Sequence, residues 1–151
     1  MKLKIVTPVS DVNSENVQRD RQKKLNNLLS LAARVLLSAL FLMSGINKIL
    51  NPADTQQYMA SYGMPLTGLF LMGAIALELA GGLFVLLGYK ARWGAIALII
   101  FLIPATLIFH TNFADQMQTI QFMKNLAILG GLLMIVQNGS GDIAIKRDRA
   151  L

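Results

Sequence analysis

Trp93-Gly-Ala-Ile-Ala-Leu-Ile-Ile-Phe-Leu-Ile-Pro-Ala-Thr-Leu-Ile-Phe109 is a run of 17 residues without a charge. A bilayer-spanning helix needs about 20 mostly apolar residues, within a range of roughly 17–25. A helix of a soluble bundle would show a polar stripe at a period of 3.6, and this run shows none. Outward from it, three further stretches read the same way. Leu28 to Leu50 is interrupted only by Arg34, Asn47 and Lys48, and Leu66 to Tyr89 carries the single charge Glu78. Ile120 to Val136 holds Lys124 and Asn125 near its start. The expected fold is all-α: an integral membrane antiparallel four-helix bundle, with spans at about 28–50, 66–89, 92–110 and 120–137.

Composition agrees. The 151 residues are 54% hydrophobic and 15% charged, against roughly 25% charged in an ordinary globular domain. The absence of Cys excludes a disulfide scaffold, a thiolate metal site and a thiol nucleophile. One His in the whole chain excludes a multi-His metal centre within one subunit, so neither a catalytic set nor a metal site is expected.

The basic residues alternate along the chain. Lys2, Lys4, Arg19, Arg21, Lys23 and Lys24 precede the first span, and Lys90 and Arg92 lie between the second and third. Lys146, Arg147 and Arg149 follow the fourth, while 51–65 and 110–119 hold no Lys or Arg. The positive-inside rule then puts both termini in the cytoplasm. This accounts for the net charge of +6 without a nucleic-acid partner; the expected surroundings are the lipid bilayer. Residues 1–27 read as a mobile cytoplasmic tail, or as a basic run resting on anionic headgroups, with no secretory signal. Residues 138–151 read as a second basic tail.

Between the first two spans, Asn51 suits a helix N-cap and Pro52 the first helical position. Gly63 suits a left-handed C′ position, with Pro65 preventing continuation. Tyr58, Met59 and Tyr62 fall on one side of this short helix, which is expected to lie along the interface or to cover the bundle mouth. Small residues mark helix contacts in lipid: Gly73, Ala76, Ala80, Gly81 and Gly82 in the second span, Gly94, Ala95 and Ala97 in the third, Ala127, Gly130 and Gly131 in the fourth. Pro104 frees the carbonyl of Ile100 and is expected to bend the third.

Polar groups inside spans are costly and need a reason. Counted at about 1.5 Å per residue from the span ends, Arg34 lies roughly 9 Å deep and Glu78 roughly 15 Å. The expectation is an intramembrane ion pair of Arg34 with Glu78, the alternative a proton-carrying Glu78. At the other mouth Lys48, His110, Lys124 and Asn125 share one level, with Tyr58 above them. They form a candidate site for an anion or for the carbonyl oxygens of an apolar ring such as a quinone, His110 being a proton donor. Alternatively, the lysines snorkel to the headgroups, or Asp54 and Asp115 neutralise them.

These residues, taken in order, resemble a family: Arg34, then Ser44-Gly45-Ile46-Asn47-Lys48, Thr55-Gln56-Gln57-Tyr58-Met59, Glu78-Leu79-Ala80-Gly81-Gly82, Phe109-His110-Thr111-Asn112-Phe113-Ala114 and Phe122-Met123-Lys124-Asn125-Leu126. The chain is similar to the DoxX family of small four-span bacterial membrane proteins over about Leu28 to Gly141. The resemblance implies an inner-membrane location and links to quinone-dependent and oxidative-stress systems. It also implies polar residues at the positions of Arg34, Lys48, Glu78, His110, Lys124 and Asn125. It suggests an accessory subunit that binds a quinone or small aromatic beside a redox partner subunit, rather than an enzyme by itself. A membrane scaffold, alone or as a homo-oligomer, and a small-solute permease are the rival readings.

Overall fold

The computed structural model describes residues 9–145, with side chains placed from Ser14 onward. Five helices follow one another: α1 (Val9–Leu50), α2 (Pro52–Ser61), α3 (Thr67–Leu87), α4 (Ala91–Phe109) and α5 (Gln116–Asn138). Four of them, all but α2, are long and apolar enough to cross a bilayer. The protein is an all-helical four-span bundle with a short helix between the first two spans.

The connections follow from local chemistry. At the end of α2, Gly63 takes φ +75°, its N–H bonds the carbonyl of Ala60, and the N–H of Met64 bonds that of Met59. This is the Schellman closure that only a residue tolerant of positive φ allows cheaply. Asn51 leaves the N-terminal cap unmade by its side chain: Nδ2 donates instead to the carbonyl and Oδ1 of Asn47, one turn back on α1. At α5 the Asp115 carboxylate does cap, accepting from the N–H of Met117 at 2.8 Å. α4 runs unbroken through Pro104.

α1 packs on α3, α3 on α4 and α4 on α5, while α5 meets α1 only sparsely. Where backbones come close, glycine is the reason. A Cβ on Gly94 would lie 2.8 Å from the carbonyl oxygen of Gly81, and one on Gly81 would lie 3.0 Å from that of Gly94. The α3–α4 crossing thus depends on two facing glycines. Gly45 meets Leu79, Gly82 meets Leu42 and Gly131 meets Leu37. Gly73 and Gly130 face open space, and Ala76, Ala80 and Ala127 are exposed, so these five of the expected contact residues are not in helix interfaces. The core, filled by Phe41, Val85, Ala95, Leu98, Leu102, Leu132 and Ile135, occupies the middle and the termini end of the bundle.

Two differences from the sequence expectation lie at the termini end. Residues 9–27 continue α1 as helix, so that α1 extends about 38 Å from the level of Arg34 to Val9. The segment after α5 is a strap rather than a free tail. Ser30 donates to the carbonyl of Ser140 at 3.2 Å, Asn27 pairs with Asp142 at 3.3 Å, and the N–H of Ile145 reaches the carbonyl of Leu87 at 3.0 Å. Lys2, Lys4, Lys146, Arg147 and Arg149 lie outside the described residues.

Candidate functional site

The expected Arg34–Glu78 ion pair is not formed. Arg34, 1% exposed, donates from Nη2 to the carbonyl of Ile143 in the strap, and its guanidinium lies against Gly88 at the C-terminus of α3. A cation is favoured there, where unpaired helix carbonyls gather. Leu28 marks no boundary in α1, which is continuous helix from Val9, so depth counted from Leu28 does not give the register with α3. The contacts Gly45–Leu79 and Gly82–Leu42 fix the antiparallel register and put Arg34 level with the α3–α4 turn. Glu78 is ten residues, or about 15 Å, further along. No arginine side chain spans that.

Glu78, 1% exposed, pairs with Lys48 instead, at 3.0 Å. Ser44, one turn before Lys48 on α1, completes the group: its Oγ donates to Glu78 Oε1 at 2.8 Å and accepts from Lys48 Nζ at 2.7 Å. The Lys48 ammonium also lies 5.5 Å from the centre of the Phe101 ring, within reach of its negative face. Lys48 is therefore drawn inward rather than snorkelling; its side chain is only 17% exposed. Gly45 makes this possible, since its missing side chain lets α3 approach until a Cβ there would be 3.4 Å from that of Glu78.

This buried pair forms one wall of a cavity of about 690 Å³ at the α2 end of the bundle. Every residue expected at the outer mouth lines it: Lys48, Tyr58, His110, Lys124 and Asn125. Phe41, Phe101, Leu102, Phe109 and Ile128 supply apolar surface. Asn125 is held by α4, donating from Nδ2 to Thr106 Oγ1 at 3.0 Å while Thr106 donates to the carbonyl of Leu102 at 2.7 Å. His110 Nδ1 lies 2.7 Å from Gln118 Oε1, which makes Nδ1 the N–H donor, and Nε2 is left as the second functional nitrogen.

Gln118 continues a chain of polar contacts through Tyr62 to Tyr58, at 3.5 and 3.4 Å. Tyr58 stacks on Phe109 at 5.3 Å between ring centres, and Tyr62 meets the same ring edge-on at 5.2 Å. The Tyr58 hydroxyl is pushed up to about 12, first by burial and then by its hydrogen bond to Tyr62 and the charge there, with Gln118 pulling the other way. α2 is thus fastened over the end of α4 by aromatic contact.

Of the two acids weighed against the lysines, Asp115 is spent as the α5 cap, and Asp54 lines the cavity. Among the described residues neither Asp54 nor Lys124 makes an ion pair. The cavity carries Lys48 and Lys124 against Glu78 and Asp54, a balance of charge that favours a neutral polar guest over an anion. Sequence position alone does not assign Thr106, Tyr62 and Gln118 to this site, nor does composition assign Ser44. Ser44 alone had a usable signal, its i, i+4 spacing from Lys48 beside a glycine.

The four spans make this a multi-pass integral membrane protein, and its walled pocket, apolar with a few convergent polar groups, has the size of a small-molecule site. The comparisons assign it more narrowly. Residues 29–111 match the DoxX family model. Inner membrane protein YqjF of Escherichia coli (strain K12) is 41% identical over 125 residues, which cover 83% of this chain and 95% of that protein. Inner membrane protein YphA of the same organism is 30% identical over 125 residues, covering 80% and 89%. No solved structure matches significantly. The chain belongs to the DoxX family.

Proposed function

We propose that this is a multi-pass inner-membrane protein with both termini cytoplasmic, and that it binds a quinone or small aromatic carbonyl compound in the cavity at its outer end. On this reading it serves as an accessory subunit to a membrane redox partner. The observation that carries the reading is the convergence of Lys124, His110 and the Lys48–Glu78 pair on a pocket floored by Phe41 and Phe101. A ring carbonyl is a good acceptor for an ammonium, a ring hydroxyl can donate to Nε2 of His110, and aromatic walls accept the ring face. The location follows the names of the two inner-membrane relatives and the alternation of basic residues.

A through-path for solutes is disfavoured. Beneath the cavity Leu98, Leu132 and Val85 are fully buried and fill the axis. The test is native mass spectrometry of the protein in nanodiscs titrated with ubiquinone and menaquinone, beside Lys124→Ala and His110→Ala. Retained quinone that is weakened in both variants supports the reading. Absence of binding to the parent protein, with the variants indistinguishable from it, overturns it.

A further inference from the structure

The cavity is not sealed on the side of α5, and the place of the opening is informative. α1 and α5 touch at Leu37, whose side chain would be 3.1 Å from a Cβ on Gly131. Continuing that antiparallel register towards the α2 end sets Leu40 opposite Ile128, Ser44 opposite Lys124 and Asn47 opposite Gln121. All six line the cavity, so at these levels the two helices are parted by it instead of packing together. Leu40 both lines the cavity and is 50% exposed, so it stands on the rim. It is ten residues from the end of α1, or about 15 Å, which is half the thickness of a hydrocarbon core of about 30 Å. An opening at that depth faces acyl chains, not water.

Polarity falls steadily along the slit. Asp54 and Asn51 stand exposed at headgroup level, Lys124 and Asn125 below them, and Leu40 and Ile128 at the bilayer middle. On the other side, the Tyr58, Tyr62 and Phe109 rings close the route over α4.

Building on the reading that the cavity holds a ring compound, we propose that the ligand enters sideways from the outer half of the bilayer, between α1 and α5. It is an amphiphile, with a carbonyl- or hydroxyl-bearing ring held near Lys124 and His110 and an apolar tail that leaves past Leu40 into lipid. A freely water-soluble aromatic lacks the part that the lower slit accommodates. Transfer of each tail methylene from water would favour lipid or slit alike, so the tail need not leave the bilayer for the ring to bind.

Two measurements test this separately from ring binding. In the first, the full-length Trp93→Phe/Phe101→Trp variant is reconstituted in phosphatidylcholine vesicles with or without bromine at mid-chain. Phe101 lies within the cavity, 6.5 Å from the Phe41 ring centre. Its replacement is expected to lose fluorescence in the brominated lipid and to recover it when the slit is closed by a bismaleimide bridging a Leu40→Cys/Ile128→Cys pair. The chain has no cysteine of its own to interfere. Phe41→Trp, on the cavity wall and at a position only 4% exposed, serves as a second reporter should Phe101→Trp fail to fold. Fluorescence indifferent to bromine overturns the proposal, whether or not any ring compound binds.

In the second measurement, bridging is expected to abolish binding of a prenylated naphthoquinone while sparing its tail-less parent. Equal retention of both overturns the proposal. If neither binds the unbridged protein, the ring-binding reading falls and the bromine result alone decides for or against the slit.

Discussion

Lys48→Met is expected to cost much more stability than Glu78→Gln, although the two changes break the same ion pair. The two partners differ in where they can go. Glu78 is 1% exposed in the middle of α3 and its short side chain cannot carry the carboxylate out of the bundle, whereas Lys48 is two residues from the end of α1 and its side chain is already 17% exposed. At 3.0 Å the pair attraction is about 5 kcal/mol for an effective dielectric constant of about 20. Lys48→Met removes this and leaves the carboxylate only the Ser44 hydroxyl, a hydrogen bond to a charged group being worth about 1.5–3 kcal/mol. The expected loss is about 3–4 kcal/mol, in the range for one partner of a buried pair.

In Glu78→Gln the amide oxygen still accepts from Ser44 and Lys48, and the ammonium can turn outward to the headgroups, so the expected loss is about 1–2 kcal/mol. The double variant Lys48→Met/Glu78→Gln is expected to be more stable than Lys48→Met alone, because no buried charge is left without a partner. Equilibrium unfolding in mixed micelles, followed by far-ultraviolet circular dichroism, gives the four free energies of the cycle. Glu78→Gln equal to or worse than Lys48→Met, or strictly additive changes, would refute the assignment of Glu78 as the trapped partner.

The facing glycines give a second contrast: Gly94→Ala drives a Cβ to 2.8 Å from the Gly81 carbonyl and is expected to cost at least about 2 kcal/mol. Gly73→Ala and Gly130→Ala meet open space and are expected to be neutral or to stabilise by up to about 1 kcal/mol, all read from thermal unfolding in one detergent. Arg34→Met releases the carbonyl of Ile143, and hydrogen exchange at Ile143–Ile145 is expected to rise while that of α4 stays unchanged. Tyr58 is expected to ionise near 12 in a near-ultraviolet absorbance titration, a step absent from Tyr58→Phe and moved downward in Tyr62→Phe. Since its folded value is raised above the ordinary 10, the stability it contributes is complete below about 10 and is lost as pH climbs through about 12; alkaline stability that falls identically in Tyr58→Phe would contradict this.

Much of the fold was legible because lipid imposes a simple code. A helix that must satisfy its own backbone in hydrocarbon has to be long and apolar, so four runs of hydrophobic residues declare four spans. The cap chemistry at Gly63 could likewise be read locally, and so could the gathering of Lys48, His110, Lys124 and Asn125 at one level. Side-chain partners could not be read that way. Capping α2 would have Asn51 Oδ1 accept from an N–H of the first turn, whereas its Nδ2 donates back to Asn47, a choice between a donor ahead and acceptors one turn behind. The small residues gave no hint of which of them face a helix: Gly81 and Gly94 do, Gly73 and Gly130 do not.

What the amino-acid order determined by itself was the number of spans, the end of the bundle that collects its polar groups, and the family. The register between helices was decided only in three dimensions. Sliding α1 against α3 by two or three turns changes the partner of Glu78 from Arg34 to Lys48, and no residue-by-residue count sets that offset. It is set where Gly45 receives Leu79 and Gly82 receives Leu42, because close packing admits few positions in which a missing side chain meets a large one.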